Sequence, residues 1–411
     1  MQIAFRPKLL DCLPTYNRAQ FGKDLASGIT VGVLALPLAM AFAIASGCSP
    51  TAGIWTAIVA GFITAAFGGS RVQIGGPTGA FIPIVYGIVA VQGFGNLMGA
   101  TMLAGIFLLA MGLARMGQLI RFIPLTVVIG FTNGIAVVIF LAQIKDFFGL
   151  QIESLPAEFF ARIKVLAANA HTVDWPTLAL AVCCFLFLLS YNRLALRISL
   201  LRRAPGPLAV LVVGTLVSYF FELPVETIGS RFNGIPQELP NFGLPAVSIH
   251  DIGKLISPAI TIALLGAIES LLSARVADGQ IDDRHDPNQE LVAQGLSNIA
   301  APLFGGFAAT GAIARTTTNV KTGGRTPIAG IIHALVLLGI VLIAAPLASF
   351  VPLATLSAIV MVVAINMGDW HEFLELRRYT YNYRIILLAT FFVTVLFDLT
   401  IAVELGMVLA S

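Results

Sequence analysis

The sequence predicts an all-α polytopic membrane protein of 14 transmembrane segments, arranged as two inverted seven-helix repeats. Three observations carry this: a charge-poor composition, a succession of apolar runs, and two matching glycine-rich breaks. Hydrophobic residues make up 57% of the 411 residues and charged residues only 11%, with a mean hydropathy of +0.91. Soluble domains carry roughly 25% charged residues, so this chain cannot cover itself with a wetted surface. The apolar runs are long and unalternated, which excludes a β-barrel. The stretch through Phe21 is polar and basic, unlike a cleavable signal peptide.

A bilayer core of about 30 Å takes about 20 apolar residues per straight helix. The first half offers spans at 25–46, 52–67, 80–91, 97–115, 122–144, 175–191 and 205–221. Polar intervals follow at 145–174 and from 222 to 251. The second half repeats the plan at 256–277, 291–304, 311–320, 328–345, 353–365 and 384–397, with a last run from Leu399. That last run reaches Ser411 early in its crossing, as expected of a chain that continues or was cut there. The positive-inside rule tests the count. With the N-terminus inside, 18 Lys and Arg side chains fall on the cytoplasmic side. Five fall outside (Lys145, Arg162, Lys164, Arg231 and Lys254), and Arg315 stays in the membrane. An odd number of spans per half makes the halves inverted.

The breaks read Phe67-Gly68-Gly69 then Gly75-Gly76-Pro77-Thr78-Gly79-Ala80, and Phe304-Gly305-Gly306 then Thr310-Gly311-Ala312-Ile313-Ala314-Arg315. Paired interruptions at matching places in two halves point to a transporter's central site. The spans at 80–91 and 311–320 are too short to cross alone. They are expected to be half-helices 3 and 10, each preceded by a short extended strand (72–75 and 307–310), because irregular backbone at membrane depth must line a cavity or be buried in protein. Their N-termini, with free N–H groups and a favourable dipole, suit an anion.

Charges inside spans need a reason. Arg315, about one turn into the second half-helix, reads as a fixed positive charge drawing an anion; bracing helices or reaching the cytoplasmic interface is the alternative. Glu269 lies mid-span and, withdrawn from water, suits a group that binds and releases a proton. It could instead hold Na⁺ or pair with Arg315. Thr78 and Gly79 open the first half-helix behind Pro77, which has no N–H to lose there. Thr78 reads as a hydroxyl donor to the anion or as an N-cap. Pro37 is expected to break the first span, with Phe42 about one turn later lining a cavity.

The polar block from Asn288 to Asn298 reads as capping and interhelical hydrogen bonding, and Lys321 to Arg325 as a cytoplasmic turn without Walker A spacing. His333 reads as a core histidine. Cys12, Cys48, Cys183 and Cys184 have neither metal-ligand nor disulfide spacing. No Ser/His/Asp grouping supports an enzyme, and no cofactor, metal or nucleic acid is expected.

Four motifs stand together: Asp24-Leu25-Ala26-Ser27-Gly28-Ile29-Thr30-Val31-Gly32 leading to Leu36-Pro37, Gly76-Pro77-Thr78-Gly79, Asn288-Gln289-Glu290-Leu291 through Gly295, and Ala314-Arg315 followed by Thr322-Gly323-Gly324-Arg325-Thr326. Through them essentially the whole chain resembles the SulP anion permeases, bacterial relatives of the solute-carrier sulfate transporters. The resemblance implies a 7+7, UraA-like fold with a core domain and a gate domain, and a cytoplasmic STAS domain not contained in this chain. It implies a cytoplasmic segment at 1–22, core at 23–115, gate at 116–253, core at 254–325 and 326–347, and gate at 348–411. Substrate then lies between the third and tenth helices, at Thr78, Gly79, Ala80, Gly311, Ala312, Ile313, Ala314 and Arg315, with Leu38 and Phe42 alongside.

Glu269 combined with Ala314-Arg315 is most similar to bacterial C4-dicarboxylate members. The function expected is proton-coupled uptake of fumarate, succinate or aspartate by alternating access, with Glu269 carrying the proton. The alternative is a carrier of sulfate, bicarbonate or chloride, Na⁺-coupled or exchanging. A channel and a structural membrane module are the other classes. A homodimer in a bacterial inner membrane, with both termini cytoplasmic, completes the expectation.

Overall fold

A computed structural model describes residues 6–118, 125–197, 205–240, 242–245 and 252–396. The run from Leu399, and Arg121, Arg202 and Arg203 of the charge count, lie outside the described residues. The first half contains α1 (Lys8–Cys12), α2 (Arg18–Ala45), α3 (Pro50–Phe67), β1 (Gly75–Gly76), α4 (Ile82–Leu113), α5 (Leu125–Phe148), α6 (Phe159–Ala168), α7 (Trp175–Arg197), α8 (Gly206–Phe220) and α9 (Ile228–Phe232). The second contains α10 (Ile252–Ile281), α11 (Pro287–Leu303), β2 (Thr310–Gly311), α12 (Ile313–Lys321), α13 (Pro327–Ala348), α14 (Leu353–Met367), α15 (Trp370–Leu374) and α16 (Tyr381–Leu396). Among the described residues, six helices are long and apolar enough to cross a membrane, and four shorter apolar helices accompany them.

Local chemistry sets many helix starts. Ser49-Pro50, Asp286-Pro287 and Thr326-Pro327 each place a capping oxygen just before a proline at the first helical position. The cap satisfies an orphan N–H, and proline has none to leave unpaired. Gly93, at φ +81°, interrupts α4 and separates the spans expected at 80–91 and 97–115. Pro37 does not break its span: α2 runs through it as one helix. α10 begins earlier and ends later than the apolar run suggested, and the polar intervals carry the short helices α6 and α9.

The halves interlock. α2, α3 and the two arms of α4 pack against α10, α11, α12 and α13, whereas α5, α7 and α8 pack against α14 and α16. Lipid offers no hydrophobic drive between helices, so close backbone approach matters. At the α4–α11 contact a Cβ on Gly105 would lie 2.7 Å from the Gly295 carbonyl oxygen, and one on Gly295 would lie 2.6 Å from the Leu109 nitrogen.

Candidate functional site

The two breaks meet. β1 and β2 pair antiparallel, with Gly75 opposite Gly311 and Gly76 opposite Thr310, and Ala312 N donates to Ile74 O at 2.9 Å. Chains leaving an antiparallel pair diverge, so the helical turn from Gly79 and α12 from Ile313 set off in opposite directions with their N-termini facing. The strands sit slightly later than the stretches read from sequence, and the second half-helix starts at Ile313 because Gly311 is in β2 and Ala312 caps. No side chain caps either start. The first N–H groups of each helix lack intrahelical partners, which leaves them available to an anion.

Side chains of α3 and α11 hold the approach strands. Glu290 of α11 accepts from Gly69 N (3.0 Å), Ser70 N (3.2 Å), Gln73 Nε2 (3.3 Å) and Gln294 Nε2 (2.9 Å). Asn298 of α11 exchanges two bonds with the Ala309 backbone, 2.8 and 2.9 Å. Thr56 of α3 accepts from Phe307 N at 2.8 Å. The polar block at 288–298, read as capping and interhelical hydrogen bonding, here bonds chiefly to the extended stretches at the crossing.

Arg315 is 1% exposed. One guanidinium nitrogen donates to the Pro77 carbonyl; the other has no hydrogen-bond partner among the described residues. A Cβ on Gly76, whose φ is +144°, would lie 2.5 Å from that second nitrogen. The positive charge is therefore sealed between the two starts and fixed against the backbone of the first. No ion pair joins it to Glu269 among the described residues. Glu269, half-buried on α10, faces the Thr78 hydroxyl electrostatically. That hydroxyl makes no hydrogen bond of ordinary geometry among the described residues.

The remaining expected residues divide. Gly79 faces Phe42 of α2, Ile139 of α5 and Met367 of α14, all within 3.8 Å of where a Cβ would stand. Leu38, Phe42 and Ala80 are buried, Ala312 is buried against β1, Ile313 is half-buried and Ala314 is exposed at the head of α12. Gly311 abuts Gln73, whose amide donates to Ser270 O at 2.8 Å and fills the space a side chain would need.

Sequence reasoning missed Gln73, Thr316 and Asn319, and gave Asp24 no role beyond its place in a motif. Thr316 Oγ1 accepts from Ile74 N at 3.1 Å, and Asn319 Nδ2 donates to Val72 O at 2.9 Å. Asp24, fully buried, accepts from Arg325 N at 3.0 Å and from the Thr326 hydroxyl at 2.5 Å. A polar residue between two apolar ones, Val72 and Ile74, was the available signal at Gln73. Ile139 and Met367 carried none.

Known proteins were compared with this architecture. The family model described as the sulfate permease family matches residues 21–390. YvdB of Bacillus subtilis (strain 168), provisionally named a sulfate transporter, is 45% identical over 396 residues, 96% of this chain and 74% of that protein. The bicarbonate transporter BicA of Synechocystis is 33% identical over 406 residues, covering 94% and 68%. A solved transmembrane domain of a cyanobacterial BicA superposes with a TM-score of 0.85 at 32% identity, over 94% of this chain and 98% of that one. The inward-facing structure of the murine solute carrier family 26 member A9 gives 0.88 at 20% identity, over 98% and 70%, a likeness of fold. On this architecture and these matches the chain belongs to the sulfate permease family and is a multi-pass membrane anion transporter.

Proposed function

We propose that the chain carries a small inorganic oxyanion of the sulfate or bicarbonate kind across a bacterial inner membrane by alternating access. The single observation behind this is the meeting of two uncapped helix starts with Arg315 sealed between them. Arg315 and Arg162 are the only basic side chains besides His333 that are buried among the described residues, and Arg315 is the one at the crossing. One compact anion fits a single fixed cation. A C4-dicarboxylate would need a second partner for its far carboxylate, and Phe42, Ile139 and Met367 face the first start instead. The relatives above are named for sulfate and bicarbonate, so the inorganic reading replaces the dicarboxylate one drawn from Glu269 and Ala314.

In this proposal the α2–α4/α10–α13 group moves as a core against α5, α7, α8, α14 and α16, both termini are cytoplasmic, and the chain works as a homodimer. Glu269, a carboxylate inside the α10 span, takes the coupling proton. Radiolabelled uptake of sulfate, bicarbonate and fumarate into proteoliposomes, with proton and Na⁺ gradients imposed separately, tests the reading. Preferential fumarate uptake would overturn the substrate class. Glu269→Gln is expected to keep binding yet lose stimulation by an inward proton gradient; unchanged stimulation removes the proton role.

A further inference from the structure

A cavity of about 460 Å³ runs along the first arm of α4 away from the crossing. Its walls come from both packing groups: Pro83, Gly87 and Gln92 of α4 face Val138 of α5 and Thr394 of α16, and Arg162 of α6 stands at the rim. The inner end is close to the site. Pro83 is one helical turn beyond Gly79, and Val138 adjoins Ile139, which faces Gly79. The outer end reaches exposed Ala157 and Glu158 and the open side of Val91.

Arg162 is 4% exposed. It donates from Nε to Pro156 O at 2.9 Å and from Nη2 to Ala157 O at 3.3 Å, and its guanidinium lies 5.2 Å from the Tyr86 ring centroid. No carboxylate pairs with it within ion-pair distance among the described residues, and burial pushes its pKa below the usual guanidinium value. A second unmatched group faces the same cavity: Gln92 Oε1 is buried with no hydrogen-bond partner among the described residues. A buried charge without a counter-charge is expensive unless something repays it. In a cleft with apolar walls such a charge focuses its field on passing ions of opposite sign.

We propose that this cavity is the outer access route of the transported anion to the α4–α12 crossing, with Arg162 as the cation that draws the anion in. The proposal rests on the anion-transport reading above. Glu158, four residues before Arg162 on the same face, opposes it. Cavity walls from two packing groups would narrow and widen as those groups shift, which gives one route two states.

Gly87 offers the probe, because a side chain there meets nothing within 4 Å. Intact cells expressing the full chain carry Gly87→Cys with Cys183→Ser, which removes the exposed native thiol and leaves the buried ones. Membrane-impermeant methanethiosulfonates of either charge are added outside. The anionic reagent is expected to react about tenfold faster than the cationic one and to block uptake. Adding Arg162→Gln should abolish that preference, Arg162→Lys should keep most of it, and Glu158→Gln should increase it. A thiol at 87 that stays unreactive, or reacts without loss of uptake, overturns the route. A preference unchanged by Arg162→Gln overturns the role of Arg162, and one lost equally in Arg162→Lys reduces it to bracing α6. Reagent rates need no transported substrate, so they stand even where uptake of every tested anion is absent, the outcome that would defeat the underlying function instead.

Discussion

The helical turn that leaves the crossing after Thr78 and the one that leaves after Ala312 begin alike: each follows a two-residue strand, each lacks a side-chain cap, and each points its N-terminus at the other. Beyond the first turn they diverge. The first is apolar, faces Phe42, Ile139 and Met367, and continues past Gly93 into the next helix. The second is nine residues long, carries Arg315, Thr316 and Asn319 buried, and is bolted to the strand of the other half through Ile74 N and Val72 O. Inversion of the repeat thus supplies the geometry twice but the charge once. On the proposed function, the α12 side reads anion charge and the α4 side, faced by Phe42, Ile139 and Met367, reads anion size.

The largest effect should come from removing that charge. Arg315→Ala is expected to lower uptake about 100-fold, since a hydrogen-bonded charged contact is worth about 3 kcal/mol at most. Arg315→Lys should retain part of it, because an ammonium keeps the charge but loses the fork that holds Pro77 O. Initial uptake rates in proteoliposomes, with melting of the purified variants as a folding control, read both. Uptake near the parent rate in Arg315→Ala would move the anion's charge recognition to the helix starts alone. Next comes Gly76→Ala, which is expected to cost about tenfold: φ +144° disfavours any side chain, and the new methyl would meet the Arg315 nitrogen. Gly93→Ala is the control. Its backbone (φ +81°, ψ 169°) penalises a side chain by roughly 1–3 kcal/mol, but nothing lies within 4 Å. If the two variants transport alike, Gly76 matters for backbone conformation and not for seating Arg315.

The contrast between the half-helices was half legible in the sequence. The paired breaks, the order of the apolar runs and the polar character of the block at 288–298 could be read because each is local: glycines and prolines interrupting an apolar run, or amides clustered at a helix start. What the charge does was not legible. The seating of Arg315 on Pro77 spans 238 positions, and the hold of Asp24 on Thr326 spans 302; no periodicity announces either. Gln73 filling the space beside Gly311 has the same character. Pro37 misled because helices at membrane depth can continue through proline when neighbours satisfy the freed carbonyl. The wall opposite Gly79 was not legible either: it comes from Ile139 and Met367, apolar residues indistinguishable from lipid-facing ones in the sequence.

The smallest expected effect tests the neutral side of the comparison. The Thr78 hydroxyl is buried, has no hydrogen-bond partner of ordinary geometry among the described residues, and does not cap the turn it precedes. A buried hydroxyl without a partner costs about 1–3 kcal/mol, an outlay that an anion accepting its proton would offset. Thr78→Val keeps the shape and deletes the donor, so KM should rise about fivefold, a loss near 1 kcal/mol, with the maximal rate within about twofold. Thr78→Ser should stay close to the parent chain. The same pair of substitutions separates two ways in which the first half-helix can act. If Val raises KM and Ser does not, the hydroxyl binds the anion directly. If neither shifts KM, the first half-helix contributes only its backbone N–H groups and its apolar wall, and the asymmetry between the two halves is sharper than the paired starts imply.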